Sequence, residues 1–204
     1  MAEKFLSSEF RFVDDGFVYK NTVYKYKNVR HTVIYQRVIK TTYNVVGPTG
    51  EENEIIVKFI TDSGEELTLQ ETMKTRKLIG FTDDKIIEKI RELFIKVSNE
   101  TFKNRLGFYE RQVNENGYFV YFGGKFFPSK KIILLDGVKY STETHQFLRS
   151  YGSIEFKKNN ESIFDKMKRT AKRELTGNVP SLGTLKDSDV FFYLLDRYYG
   201  IRWS

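Results

Sequence analysis

The chain has 204 residues, 40% hydrophobic and 16% aromatic with 3 prolines, which excludes a disordered polymer and allows one larger domain or two small ones. It has no cysteine, so disulfide frameworks, thiolate metal sites and cysteine nucleophiles are excluded. The net charge of +7 favours anionic partners wherever it gathers, and no apolar run approaches the roughly 18 residues of a bilayer-crossing helix.

Residues 10–13 and 17–20 read as strands around Asp14-Asp15-Gly16, and residues 22–27 alternate. Residues 31–46 form a run long enough to need a bend before Gly47-Pro48-Thr49-Gly50 breaks it. Residues 54–61 and 65–70 flank Asp62-Ser63-Gly64, the best hairpin signal of this half. The period then changes. In FTDDKIIEKIRELFIKVSNETFKNRLG, the residues Ile86, Ile87, Ile90, Leu93, Phe94 and Val97 share one stripe, which predicts a helix over 82–106. Thr82 is the expected N-cap, Phe81 is placed to staple onto Ile86, and Gly107 is the expected stop.

After Gly107, strands are predicted at 108–113, 118–122, 131–135, 138–141, 144–149 and 153–158. Asp136-Gly137 between apolar runs is a type I′ hairpin signal. Residues 161–175 read as a helix with Phe164, Met167, Ala171 and Leu175 on one side, followed by a loop over 177–187. Val190, Phe191, Leu194, Leu195 and Tyr198 set a last helix, capped by Ser188 and ended by Gly200. Strands followed by a helix thus occur twice, and the expected domains are 1–106 and 107–204.

Three segments carry a family likeness. KIILLDGVKYSTETHQFLRSYGSIEFKK (131–158) resembles the strand–Asp-Gly–strand–Gly–strand run of the bacterial pleckstrin-homology-like (PH-like) proteins. NVPSLGTLKDSDVFFYLLDRYYG (178–200) is similar to the loop and closing helix of that family through Asn178, Pro180, Phe191, Leu194 and Leu195. VYKYKNVRHTVIYQR (23–37) resembles its second and third strands, with the helix at 82–106 as closure. The resemblance implies an α+β, antiparallel-sheet-rich fold of two partly open barrels, or one barrel and an incomplete copy, each closed by its C-terminal helix. Such families include lipid binders, peptide binders and scaffolds, so the fold does not fix the function.

No motif carries chemistry. His31 and His145 lie far apart without a carboxylate at ligand spacing, so each reads as a structural or solvated histidine. Gly123-Gly124-Lys125 lacks Walker spacing and reads as a turn between strands. Asp14-Asp15, Asp83-Asp84 and Glu65-Glu66 sit at turns or a helix start, where acids have local reasons to be. No catalytic residue, cofactor or metal is expected.

Charge is the remaining signal. Residues 16–50 hold Lys20, Lys25, Lys27, Arg30, Arg37 and Lys40 and no acid, and residues 157–174 are the second basic stretch. From His31 onward the odd positions, with Val33, Tyr35, Ile39 and Tyr43, are mostly apolar, and the even ones, with Gln36, Lys40, Thr42 and Asn44, are mostly polar. The odd side is therefore the expected buried side. Arg37 is then misplaced, and either a bulge near residues 35–37 turns it outward or it points into a cleft. Lys25, Lys27, Arg30, Arg37 and Lys40 are expected to form one anionic-contact surface, and Lys168, Arg169, Lys172 and Arg173 another.

The expected function is a non-enzymatic binding or scaffold module in the cytosol, with a protein partner first and an anionic membrane surface second. The alternatives are a nucleic-acid-binding protein using basic strands 20–40, and a small enzyme without a recognisable motif.

Overall fold

Short alternating runs joined by tight turns build the first sheet. The computed structural model describes residues 3–4, 7–41, 50–76, 85–150, 153–160, 162 and 186–201. After β1 (Glu3–Lys4), strands β2 (Phe10–Val13), β3 (Gly16–Tyr19) and β4 (Thr22–Lys25) form a three-stranded antiparallel sheet. A second sheet has the order β1-β7-β6-β5, from β5 (Val29–Thr41), β6 (Gly50–Thr61) and β7 (Glu66–Arg76). The Asp62-Ser63-Gly64 turn forms as expected: Gly64 takes φ +84° and its N–H reaches the Thr61 carbonyl at 3.0 Å.

Helix α1 spans Lys85–Asn116, so the predicted stop at Gly107 and the predicted strand at 108–113 are both corrected. A glycine inside a helix costs only about 1 kcal/mol, and the next turn repays it. Tyr109 is buried against Phe119 and Tyr121 and donates to Asp187 Oδ2 at 2.9 Å. The helix ends one glycine later, at Gly117 with φ +76°, whose N–H reaches the Val113 carbonyl. The expected cap Thr82 and staple Phe81 lie outside the described residues.

The chain divides into two compact units, Met1–Arg105 and Leu106–Ser204. In the first, Ile87, Ile90, Leu93 and Val97 of α1 pack with Ile55, Val57, Phe59, Leu67 and Leu69 of the long sheet and with Phe17, Tyr19 and Tyr26. Beneath them runs a polar seam. Ser98 meets Thr32, and the fully buried Arg105 donates to Thr101 Oγ1 at 3.0 Å and to the Ser98 carbonyl at 2.7 Å.

The buried side of β5 is the reverse of the one its sequence parity predicts. Pairing runs Val29↔Thr61 and then His31↔Ile60, so Arg30 is an extra residue, a bulge. One extra residue flips the parity beyond it. Val29 faces the core before the bulge, and Thr32, only 1% exposed, and Ile34 face it afterwards. Val33 and Tyr35 are half-buried on the other side. From His31 to Thr41 the register with β6 is unbroken, so no bulge lies at 35–37.

Tyr26 is buried, and its hydroxyl has no hydrogen-bond partner among the described residues. Tyr26→Phe is expected to leave stability unchanged or raise it by up to about 1 kcal/mol, because the group removed is buried and unpaired. A clear loss of stability in a denaturant titration would contradict this.

The second unit is a meander closed on one side by a helix. Strands β8 (Phe119–Tyr121), β9 (Gly124–Phe127), β10 (Ile132–Leu135) and β11 (Val138–Ser141) pair in sequence, and β12 (His145–Ser150) pairs with β13 (Ser153–Lys158). Phe122-Gly123 and Asp136-Gly137 both have positive φ at both positions, the type I′ signature. Helix α2 (Ser188–Tyr199) lays Val190, Phe191, Leu194 and Leu195 into the core, where the Phe191 ring stacks on Tyr121 at 3.8 Å between centroids. Gly200 ends it as expected, at φ +69°. Its cap is Asp187 rather than Ser188. The predicted helix at 161–175 lies outside the described residues apart from Ser162.

The fold is therefore α+β with antiparallel sheets, and among the described residues no sheet closes into a barrel. No described helix is long and apolar enough to cross a membrane.

The second unit also fixes a pH response. Burial pushes the Tyr199 phenol well above its ordinary 10.0, and burial followed by the Asp136 charge raises Tyr140. The unfolded chain then ionises first, so the stabilisation is intact below about pH 10 and is lost as pH climbs past it. The denaturant midpoint is expected to fall between about pH 9 and pH 11, less steeply in Tyr199→Phe. A midpoint unchanged over that range would contradict this.

Candidate interaction surface

One cation of the first predicted surface has an acid beside it. Lys25, on β4, sits 3.3 Å from Asp15, an exposed pair worth at most about 1 kcal/mol. Lys27 is exposed in the single turn Tyr26–Asn28, and Arg30 is exposed at the bulge. The register places Arg37 opposite Glu54 and Lys40 opposite Glu51. Lys168, Arg169, Lys172 and Arg173, the second predicted surface, lie outside the described residues.

A different surface emerges from pairing in the second unit. Sheet pleating puts directly paired residues on the same face. One face holds Phe119, Phe126 and Ile133, all buried, with Phe119 against Tyr109 of α1 and Phe126 against Phe191 of α2. The outer face holds the row Val120↔Lys125↔Leu134↔Lys139, and beside it Phe127↔Ile132↔Ser141. Val120 is 44% exposed, Leu134 36%, and Phe122, in the turn after β8, 57%.

The electrostatics of this face are one-sided. Between residues 117 and 142 the bases are Lys125, Lys130, Lys131 and Lys139, and the only acid is Asp136, in the β10–β11 turn. Lys131 donates to the Tyr198 carbonyl. Lys125 lies over the Tyr118 ring at 5.1 Å and Lys130 over Phe127 at 5.8 Å, so both ammonium groups are held by aromatic faces. Among the described residues no carboxylate pairs with Lys125, Lys130 or Lys139.

The backbone holds these side chains in place. The buried inner face fixes the strands, and Gln112 of α1 accepts the Val120 N–H at 2.9 Å, closing the β8 edge. Sequence reading missed the face because β9 was not predicted. Only with Gly124–Phe127 as a strand do Val120, Lys125 and Leu134 fall side by side. Of Gly123-Gly124-Lys125, only Gly123 lies in the turn, paired with Phe122, while Gly124 and Lys125 open strand β9, so no helix follows as a phosphate loop requires.

The histidines show no shared site. His31 is buried on β5, and His145 Nδ1 lies 2.9 Å from the Thr144 hydroxyl. Among the described residues no group of three or more His, Asp or Glu is placed to hold a metal ion. No family model matches the chain, and no curated protein or solved structure matches it either.

Proposed function

We propose that the chain is a non-enzymatic binding module whose partner is another protein, held on the outer face of the β8–β11 sheet. One observation supports this most: Lys125 and Lys139, without a described carboxylate partner, share a sheet face with exposed Val120 and Leu134, and Lys130 lies beside it over the Phe127 ring. Exposed apolar side chains grouped with one sign of charge are costly in water and favourable against a complementary surface. In the same reading both units are PH-like, each an open antiparallel system with a helix on its inner side. The absence of cysteine fits a reducing compartment, and we place the module in the cytosol.

Phe122 adds a local argument. It holds φ +47° at the first position of a two-residue turn, where asparagine or glycine is favoured, and yet its ring is exposed. A left-handed conformation costs such a residue about 1–2 kcal/mol. Folding does not repay that cost, so we assign the ring to binding. Phe122→Asn is expected to stabilise the unit by about 1 kcal/mol while weakening partner contact. A destabilised variant would contradict the assignment.

A photo-crosslinking residue at Leu134, introduced in the native host, tests the reading. It is expected to trap a discrete acidic protein that the same probe at Ile95, exposed on α1, does not trap. Adducts with lipid alone, or identical adducts from both positions, would overturn it.

A further inference from the structure

We infer that the segment docking on this face is an acidic amphipathic helix laid across the four strands; the inference rests on the protein-binding reading above. Strand spacing favours a helix. Strands lie about 4.8 Å apart, so Val120, Lys125, Leu134 and Lys139 fall at about 0, 4.8, 9.6 and 14.4 Å along one line. The line alternates apolar, basic, apolar, basic.

A complementary partner must present apolar and acidic side chains at the same steps. On a helix, positions i, i+4, i+7 and i+11 share one stripe and rise by about 6, 10.5 and 16.5 Å, never more than about 2 Å from the row. Glutamate and lysine stems absorb that mismatch. An extended strand presents same-face residues about 6.7 Å apart and is about 6 Å out of step by the fourth, more than one strand spacing. The helix fits and the strand does not.

Other partners meet specific obstacles. The β8 edge is closed by Gln112, which blocks strand addition there. The Tyr118 and Phe127 rings lie under Lys125 and Lys130, so they are poorly placed to stack bases. The face covers on the order of 200 Å², well below the roughly 800 Å² that each side of a globular interface buries. A single element matches it. Asp136, at the end of the face, sets the direction in which added acid is disfavoured.

The test uses the full chain and two labelled peptides of identical composition, followed by fluorescence anisotropy. One carries Leu at i and i+7 and Glu at i+4 and i+11; the other has the same residues permuted so that Leu and Glu occupy opposite sides. The first is expected to bind at least about tenfold tighter, and Lys125→Glu with Lys139→Glu should abolish that preference. Lys25→Glu with Lys27→Glu, equal in charge change, should leave it intact. Thermal melts confirm that each variant is folded. Equal affinity for the two peptides overturns the helix inference and leaves the binding face standing. Binding of phosphatidylserine–phosphatidylcholine vesicles through the same lysines, without peptide binding, overturns both the helix and the protein partner. No binding to either peptide or vesicles overturns both as well.

Discussion

Phe191→Ala is expected to destabilise the C-terminal unit by about 3–5 kcal/mol, most of the margin of a domain this size. The ring is 2% exposed, lies parallel to Tyr121 at 3.8 Å, and meets Phe126 edge-on at 5.3 Å. Truncation removes both ring pairs and leaves a cavity between α2 and the meander, where neighbouring rings cannot collapse without leaving their rotamers. At about 4–8 °C per kcal/mol, the thermal transition of this unit should drop by well over 10 °C. Phe191→Leu, which retains most of the volume, should cost much less. Equal melting of the alanine variant and the parent would mean that α2 does not pack on this sheet.

Gly16→Ala is expected to cost about 3 kcal/mol or more, although the same change at a compatible strand position would usually stabilise. Gly16 pairs with Lys25, and a Cβ there would stand 2.1 Å from the Tyr24 carbonyl oxygen. That atom is backbone and cannot swing aside, so β3 and β4 would have to separate. Phe17, stacked on Tyr24 at 5.1 Å and packed against Phe59, would be drawn with them. A denaturant midpoint at or above that of the parent would show that Gly16 and the Tyr24 carbonyl do not approach this closely.

Much of the fold is written locally. The α1 stripe, the Asp62-Ser63-Gly64 and Asp136-Gly137 turns and the stop at Gly200 depend on residues a few positions apart, and each forms as its sequence predicts. The failures come from distant partners. Gly107 reads as a stop because nothing nearby shows that Tyr109 will find Asp187, 78 residues on. The Arg30 bulge is set by pairing with Thr61 and Ile60, so parity counted along β5 alone picks the wrong side. Tyr26 and Tyr24, which lie before that bulge, are buried in the core or packed against it.

The candidate surface follows the same rule. Lys25, Lys27, Arg30, Arg37 and Lys40 are conspicuous because they are close in sequence, and pairing then sets acids beside or across from Lys25, Arg37 and Lys40. Lys125, Lys130 and Lys139 are spread over three elements and attract no notice until four short strands align. β9 was invisible because it is only four residues long and opens on a glycine that packs against Leu135.

Residue-resolved amide hydrogen exchange of the full chain, with and without the registered acidic peptide, tests the central claim most directly. The account predicts slowed exchange confined to residues 118–141, with residues 23–41 unchanged. Slowed exchange over 23–41, with 118–141 unaffected, would contradict it and return the binding surface to the basic strands.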